Sequence, residues 1–315
     1  MFEFVNENSE PIKSDLMTVN MGPQHPATHG VLRVEIQTDS EVVARATPHI
    51  GYLHRCMEKH CEHLDYRGVI PFTDRLDYLA AMNMEWTYVL AVEKMLKTEV
   101  PVRAEYVRVI IGELQRIASH LMFFGTYAID LGAFTPFLYA FQDRENILRI
   151  FEEVSGARLL YNYIWVGGVW NDLTDDHLVR IESFLETFEE SIKKYHKLVG
   201  ENQIFVSRTA HVGVISKDQV YDYGLTGPVL RGSGIDWDLR KNRPYSIYDK
   251  FEFDVIKGEG LKGQVGDCWD RYYVRMMEMH ESIKIIRQAL AGIEAGPVMG
   301  KVPKIIKPAK GEVYM

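Results

Sequence analysis

Ten residues, Met21-Gly22-Pro23-Gln24-His25-Pro26-Ala27-Thr28-His29-Gly30, restrict this chain more than any other stretch. Its two prolines and two glycines rule out a regular helix or a central strand, because proline lacks a backbone donor and fixes φ. Pro23 and Pro26 stiffen the backbone, Gly22 and Gly30 allow tight or left-handed bends, and Thr28 offers a hydroxyl. So rigid a loop can hold an imidazole at a fixed position, as proton chemistry near neutral pH requires. It can equally be a surface turn whose histidines are incidental. His25 is expected to bond the loop backbone.

On either side of this loop the patterning changes character. Residues 1–16 are polar and acidic and read as an arm. Val31, Val34 and Ile36, then Val42 and Val43, form two β-branched runs around Thr38-Asp39-Ser40-Glu41, a hairpin signature closed by Pro48. Residues 49–69 read as a short helix with irregular flanks. From Thr73 onward, apolar residues recur at helical spacing. Asp74 is expected to cap a helix to about Lys97, with Leu76, Leu79, Met82, Trp86, Val89 and Leu90 as its stripe. Pro101 opens a second helix along Val107, Ile110, Ile111, Leu114, Ile117 and Leu121. Further helices are expected over 136–155, from Thr174-Asp175-Asp176 to about Leu198, and from about Asp270 to Ile293. Short β-like runs at 204–206 and 251–253 interrupt an irregular insert, and the tail from Gly296 forms no element of its own. The reading is an α+β chain, a small N-terminal antiparallel sheet followed by a bundle of long helices. Its parts are the arm (1–16), a β-rich region with the loop (17–72) and a helical core (73–315) holding the insert at about 200–270.

Composition excludes several classes of function. A formal net charge of -8 and a pI near 5.8 argue against nucleic acid as a partner. Cys56, Cys61 and Cys268 make neither a disulfide framework nor a zinc-type pairing, and their odd number fits a reducing compartment. No charged-then-apolar leader, apolar run near 20 residues, internal repeat or glycine-rich nucleotide fingerprint is visible. The chain is therefore expected to be neither exported nor membrane-spanning, with a place beside a membrane left open.

Several segments taken together resemble one family. Met21–Gly30, Pro48-His49-Ile50-Gly51-Tyr52-Leu53-His54, Arg75-Leu76-Asp77-Tyr78-Leu79 and Asp130-Leu131-Gly132-Ala133-Phe134-Thr135-Pro136 occur in order. Leu225-Thr226-Gly227, Leu230-Arg231-Gly232-Ser233-Gly234 and Gly311-Glu312-Val313-Tyr314 follow. They resemble the D-type subunit family of the proton-pumping NADH–quinone oxidoreductase, respiratory complex I, from about residue 15 to the last. That family is related to the large subunits of nickel–iron hydrogenases, so the resemblance implies a hydrogenase-like helical fold. A nickel–iron site needs two Cys-x-x-Cys pairs of soft thiolates. Here Asp77 and Ala80 stand in the first pair, and Cys56 and Cys61 have the wrong spacing.

The resemblance implies a quinone site where the hydrogenase metal would lie. Quinone reduction takes two electrons and two protons, so its carbonyl oxygens need donors, which a phenol and an imidazole supply. By resemblance, Tyr78 and His29 meet the quinone headgroup, and Asp130 pairs with His29. Such a carboxylate favours the imidazolium and fixes its tautomer, and the pair's rearrangement would couple reduction to pumping. Arg75 matches a family arginine near the terminal [4Fe–4S] cluster of a neighbouring subunit, where a cation raises the potential. The resemblance implies that the chain binds no metal itself and that the cluster and FMN are carried by other subunits. Residue by residue, simpler roles stay open: Tyr78 as a core aromatic, Asp130 as a turn residue, His29 as a loop residue, Arg75 in an ordinary salt bridge.

Two departures from the family accompany these matches. Leu160 stands where many members carry a histidine near the cluster, so the potential should be lower and less pH-sensitive, as would suit a low-potential quinone such as menaquinone, with ubiquinone left open. Members also continue past Gly311-Glu312-Val313-Tyr314, so the C-terminal segment reads as truncated, with apolar faces left uncovered. The implied function is a quinone-site subunit of a multisubunit translocase, peripheral on the cytoplasmic side of a bacterial inner membrane. It would work with the iron–sulfur subunit, other peripheral-arm subunits and the membrane arm. A non-catalytic scaffold of the same complex is the alternative.

Overall fold

The computed structural model describes residues 16–25, 28 and 30–315. Two units separate at Met57/Glu58. In the first, β1 (Met17–Met21), β2 (Arg33–Asp39) and β3 (Val42–His49) form an antiparallel sheet in the order β1-β2-β3. The expected hairpin is present: Asp39 pairs with Val42, and Ser40 takes the left-handed conformation that so tight a turn requires. Register shifts between Gln37 and Thr38, and Pro48 pairs with Val34 one residue before the strand ends. The Gly22–Gly30 loop links β1 to β2. Its Thr28 is buried, with Oγ1 3.0 Å from the Pro23 carbonyl and 2.9 Å from that of His25. Gly22, at φ +79°, is required here: a Cβ would lie 2.2 Å from the Leu32 carbonyl oxygen.

The second unit is built from helices. After α1 (Met57–His63) come α2 (Ile70–Thr73), α3 (Ala81–Leu96), α4 (Val102–Asp130) and α5 (Thr135–Ser155). A two-stranded hairpin, β4 (Ile164–Trp165) with β5 (Gly168–Val169), precedes α6 (Asp175–Tyr195), whose last turn widens into a π-helix over His196–Gly200. Four short helices follow: α7 (Gln203–Thr209), α8 (Lys217–Asp222), α9 (Gly227–Gly232) and α10 (Leu239–Asn242). The last, α11 (Cys268–Gly292), runs back through the core. α4 is the central helix, packed by α3, α5 and α11, and Val107, Ile110, Ile111, Leu114, Ile117 and Leu121 on it are fully buried. Among the described residues no helix is long and apolar enough to cross a membrane.

Three expectations are corrected. The helix placed from Asp74 begins only at Ala81, and residues 74–80 form a turn. Asp74 does not cap: it is fully buried and accepts the distant Asn162 N–H at 3.1 Å, while Asp77 Oδ1 takes the Leu79 N–H in an Asx turn. The run 204–206 is helical, because Asn202 Oδ1 accepts the Ile204 and Phe205 N–H groups and starts α7. The run 251–253 is extended but pairs with side chains instead of a strand. Glu252 N–H donates to Gln288 Oε1 at 2.8 Å, and Asp254 N–H to Glu281 Oε2 at 2.9 Å.

Candidate functional site

The 74–80 turn between α2 and α3 carries two of the residues singled out from the sequence. Arg75 is exposed and donates to the Pro71 carbonyl one helical turn earlier. Tyr78 is half-buried. The turn is pinned to α4, where Gln115 Nε2 donates to the Leu79 carbonyl at 2.6 Å. Asp130, the last residue of α4, is exposed. It lies fifteen residues beyond Gln115, roughly 22 Å along the axis at 1.5 Å per residue. Arg75 and Tyr78 share one turn, and Asp130 ends the helix that pins that turn. His29 lies outside the described residues.

Gly132, at φ +91°, lets the chain reverse after Asp130, and Ala133 N–H donates back to the Ala128 carbonyl at 2.8 Å. Arg208 closes the same corner by donating to the Leu131 carbonyl at 3.0 Å. A cleft of about 430 Å³ lined by Leu131, Gly132, Asn202, Phe205 and Arg208 opens there.

A strap, residues 157–170, is bonded to the start of the Tyr78 turn at Asp74. Its amides point at two acids, Asp74, expected from the sequence as a helix cap, and Glu85, which sequence reasoning missed: Asn162 N–H at Asp74 Oδ2, and Tyr163 and Ile164 N–H at Glu85 Oε2, 2.9 and 2.6 Å away. Further along, buried Arg108 donates to the Trp165 and Gly168 carbonyls, and Glu93 accepts the Gly167 N–H at 2.6 Å. Leu160 sits on this strap, half-buried, in a left-handed conformation. Burial raises the carboxyls of both Asp74 and Glu85, that of Glu85 well above the ordinary range because the Asp74 carboxyl also faces it.

A second buried polar system was equally invisible to pattern reading. Glu113 on α4 accepts from Arg240, Tyr248 and Ser282 at 3.1, 2.6 and 2.7 Å and from Arg116 on its own helix at 3.0 Å. Burial alone would raise its pKa, but these guanidiniums and hydroxyls outweigh it and hold the group at about 2. Glu278 on α11 follows the same logic: against burial, the hydrogen bond from His120 and the charge of Arg231 bring it to about 2. His120, 2.8 Å from Glu278, is pushed down by burial although Glu278 acts to raise it. Acids scattered over a sequence carry no sign that such partners await them. Among the described residues no group of three or more His, Cys, Asp or Glu could hold a metal ion.

Residues 130–315 match the family described as the 49 kDa subunit of respiratory-chain NADH dehydrogenase. The chain is 52% identical over 306 residues to a D-type NADH-quinone oxidoreductase subunit of Chlorobaculum tepidum, covering 96% of this chain and 76% of that one. It is 52% identical over 316 residues to the protein of the same name from Chlorobium luteolum, covering 98% and 80%.

Proposed function

Because the chain belongs to the family of the 49 kDa subunit of respiratory NADH–quinone oxidoreductase, we propose that it forms the quinone end of that complex. In this reading electrons pass from the terminal [4Fe–4S] cluster of a neighbouring subunit to a quinone, and the coupled protons are pumped elsewhere in the assembly. FMN and the iron–sulfur clusters belong to other subunits. The chain is peripheral, on the cytoplasmic side of the membrane, between the cluster-bearing subunit and the membrane arm.

The observation that carries the reading is the 74–80 turn. Pinned by Gln115 and strapped at Asp74, it holds Tyr78 half-buried and leaves the Arg75 guanidinium exposed. A phenol held on such a turn is a positioned donor for a quinone carbonyl oxygen, and an exposed charge can act on a cluster in a neighbour. Leu160, on the strap bonded to that turn, adds no titratable group there. The cluster potential is then low and nearly independent of pH, which suits a low-potential quinone such as menaquinone. His29 and Asp130 keep the roles the resemblance implies, the imidazole as second donor and the carboxylate as the group that holds its charge.

The test is inhibitor-sensitive NADH–quinone reductase activity in membranes whose only copy of the subunit is this chain, beside its Tyr78→Phe variant. Loss of one hydrogen-bond donor to the developing charge should lower the rate on the order of a hundredfold with assembly unchanged. Equal rates would mean that Tyr78 is a packing aromatic and that the headgroup sits elsewhere. An Asp130→Asn variant that pumps with the parent's stoichiometry would remove the coupling role of that carboxylate.

A further inference from the structure

Resting on the quinone-site reading, we infer that Asp74 and Glu85 share one buried proton and act as positioning residues, holding the Arg75–Tyr78 turn against the 162–164 strap. The two acids stand at either end of the turn, Asp74 where α2 stops and Glu85 in the first turns of α3, and both are fully buried. Each uses one oxygen to take strap amides, Asp74 from Asn162 and Glu85 from Tyr163 and Ile164. Their other oxygens, Asp74 Oδ1 and Glu85 Oε1, are buried and receive no donor among the described residues, and each carboxyl acts on the other.

A hydrogen bond between two carboxyls needs a proton on one of them. Two bare carboxylates in that place would repel each other without water to screen them. The facing charges do not replace the proton. Arg75, on the turn itself, is exposed and acts on Asp74 only through its field, and the strap contributes the neutral phenols of Tyr161 and Tyr163. Both carboxyls are raised by burial, so one of the two carries the proton and the other accepts. With one proton the pair draws the ends of the turn together and grips three consecutive amides. Without it, two negative charges push the ends apart and loosen both turn and strap, displacing Tyr78.

The pH profile of NADH–quinone reductase in membranes holding the intact complex tests this. Glutamine at position 85 keeps a donor toward Asp74 and an acceptor for the strap amides but cannot titrate. The parent should lose activity as pH rises past the carboxyl range. Glu85→Gln should remove that fall, so that its ratio of high-pH to neutral-pH rate rises several-fold. The same fall in parent and variant would overturn the inference. Infrared difference spectra give a second readout, independent of quinone chemistry. A protonated-carboxyl band at neutral pH should be lost or shifted in frequency in both Glu85→Gln and Asp74→Asn, and a band unchanged in both would equally defeat the pair. Tyr78→Phe, run beside them, separates the two ideas: if it stays fully active the quinone reading falls, and the infrared band then decides the pair by itself.

Discussion

Leu160 holds φ +60°, a backbone conformation in which an aliphatic side chain has no hydrogen bond to offer its neighbours. Histidine is among the residues that occupy this region more readily. Leu160→His should therefore be accepted by the fold and would place a proton-binding group on the strap that grips the Arg75 turn. Under the proposed function the neighbouring cluster becomes easier to reduce and its potential acquires a pH slope. Redox titration of the complex at several pH values measures both, and a slope equal to the parent's would remove Leu160 from the cluster's surroundings. The strap's position could not be read from residues 157–165 alone. Its anchors, Asp74 and Glu85, are single acids in unrelated segments, and nothing local marks an acid whose partners are backbone amides some 80 residues away.

At the scale of elements, periodicity was sufficient wherever a helix buries a continuous face. α4, α5, α6 and α11 lie within a few residues of their expected positions because an apolar stripe of period 3.6 has one way to meet a core. Caps decide the short elements. Ile204-Phe205-Val206 reads as a strand by composition, yet a single Asn202 side chain satisfies two orphan amides and commits the run to α7. Asn202→Ala should cost about 1 kcal/mol and speed amide exchange across 203–209 while α6 keeps its protection. Unchanged exchange would show that burial of Phe205 alone holds α7. The turn at 74–80 departs from the helix expected there for the converse reason: Asp74 has the chemistry of a cap but its carboxylate is spent on the strap.

For the helical unit as a whole, the buried charges join stretches remote in sequence: α4 through Glu113, Arg116 and His120, the 231–248 segment through Arg231, Asp238, Arg240 and Tyr248, and α11 through Glu278 and Ser282. Removing one partner from such a network leaves an uncompensated buried charge, so Glu113→Gln should destabilise the chain by roughly 3–5 kcal/mol in chemical unfolding. A cost under about 1 kcal/mol would show that the network behaves like exposed ion pairs. The pH response has a definite sign. Glu113 and Glu278 fall from an ordinary 4.5 to about 2, so their stabilisation is complete above 4.5 and is lost as pH drops toward 2. Asp74 and Glu85, raised instead, bind more protons folded than unfolded, and stability declines as pH climbs beyond the ordinary carboxyl range. Acid unfolding followed by the fluorescence of buried Trp86 and Trp269 should shift to higher pH in Glu113→Gln, because the variant's network is broken before any carboxyl is protonated.

Local order decided the hairpin, the long helices, the loop at 21–30 and the family itself, because periodicity, proline, glycine and contiguous motifs act over a few residues. The sequence alone therefore settled the α+β class and pointed to Arg75 and Tyr78. Tertiary structure decided which acids are buried together, where each carboxylate finds its donors, and that Tyr78 rides on a turn instead of a helix. Those outcomes depend on desolvation and on partners brought close only by packing, and neither quantity is a property of neighbouring residues along the chain.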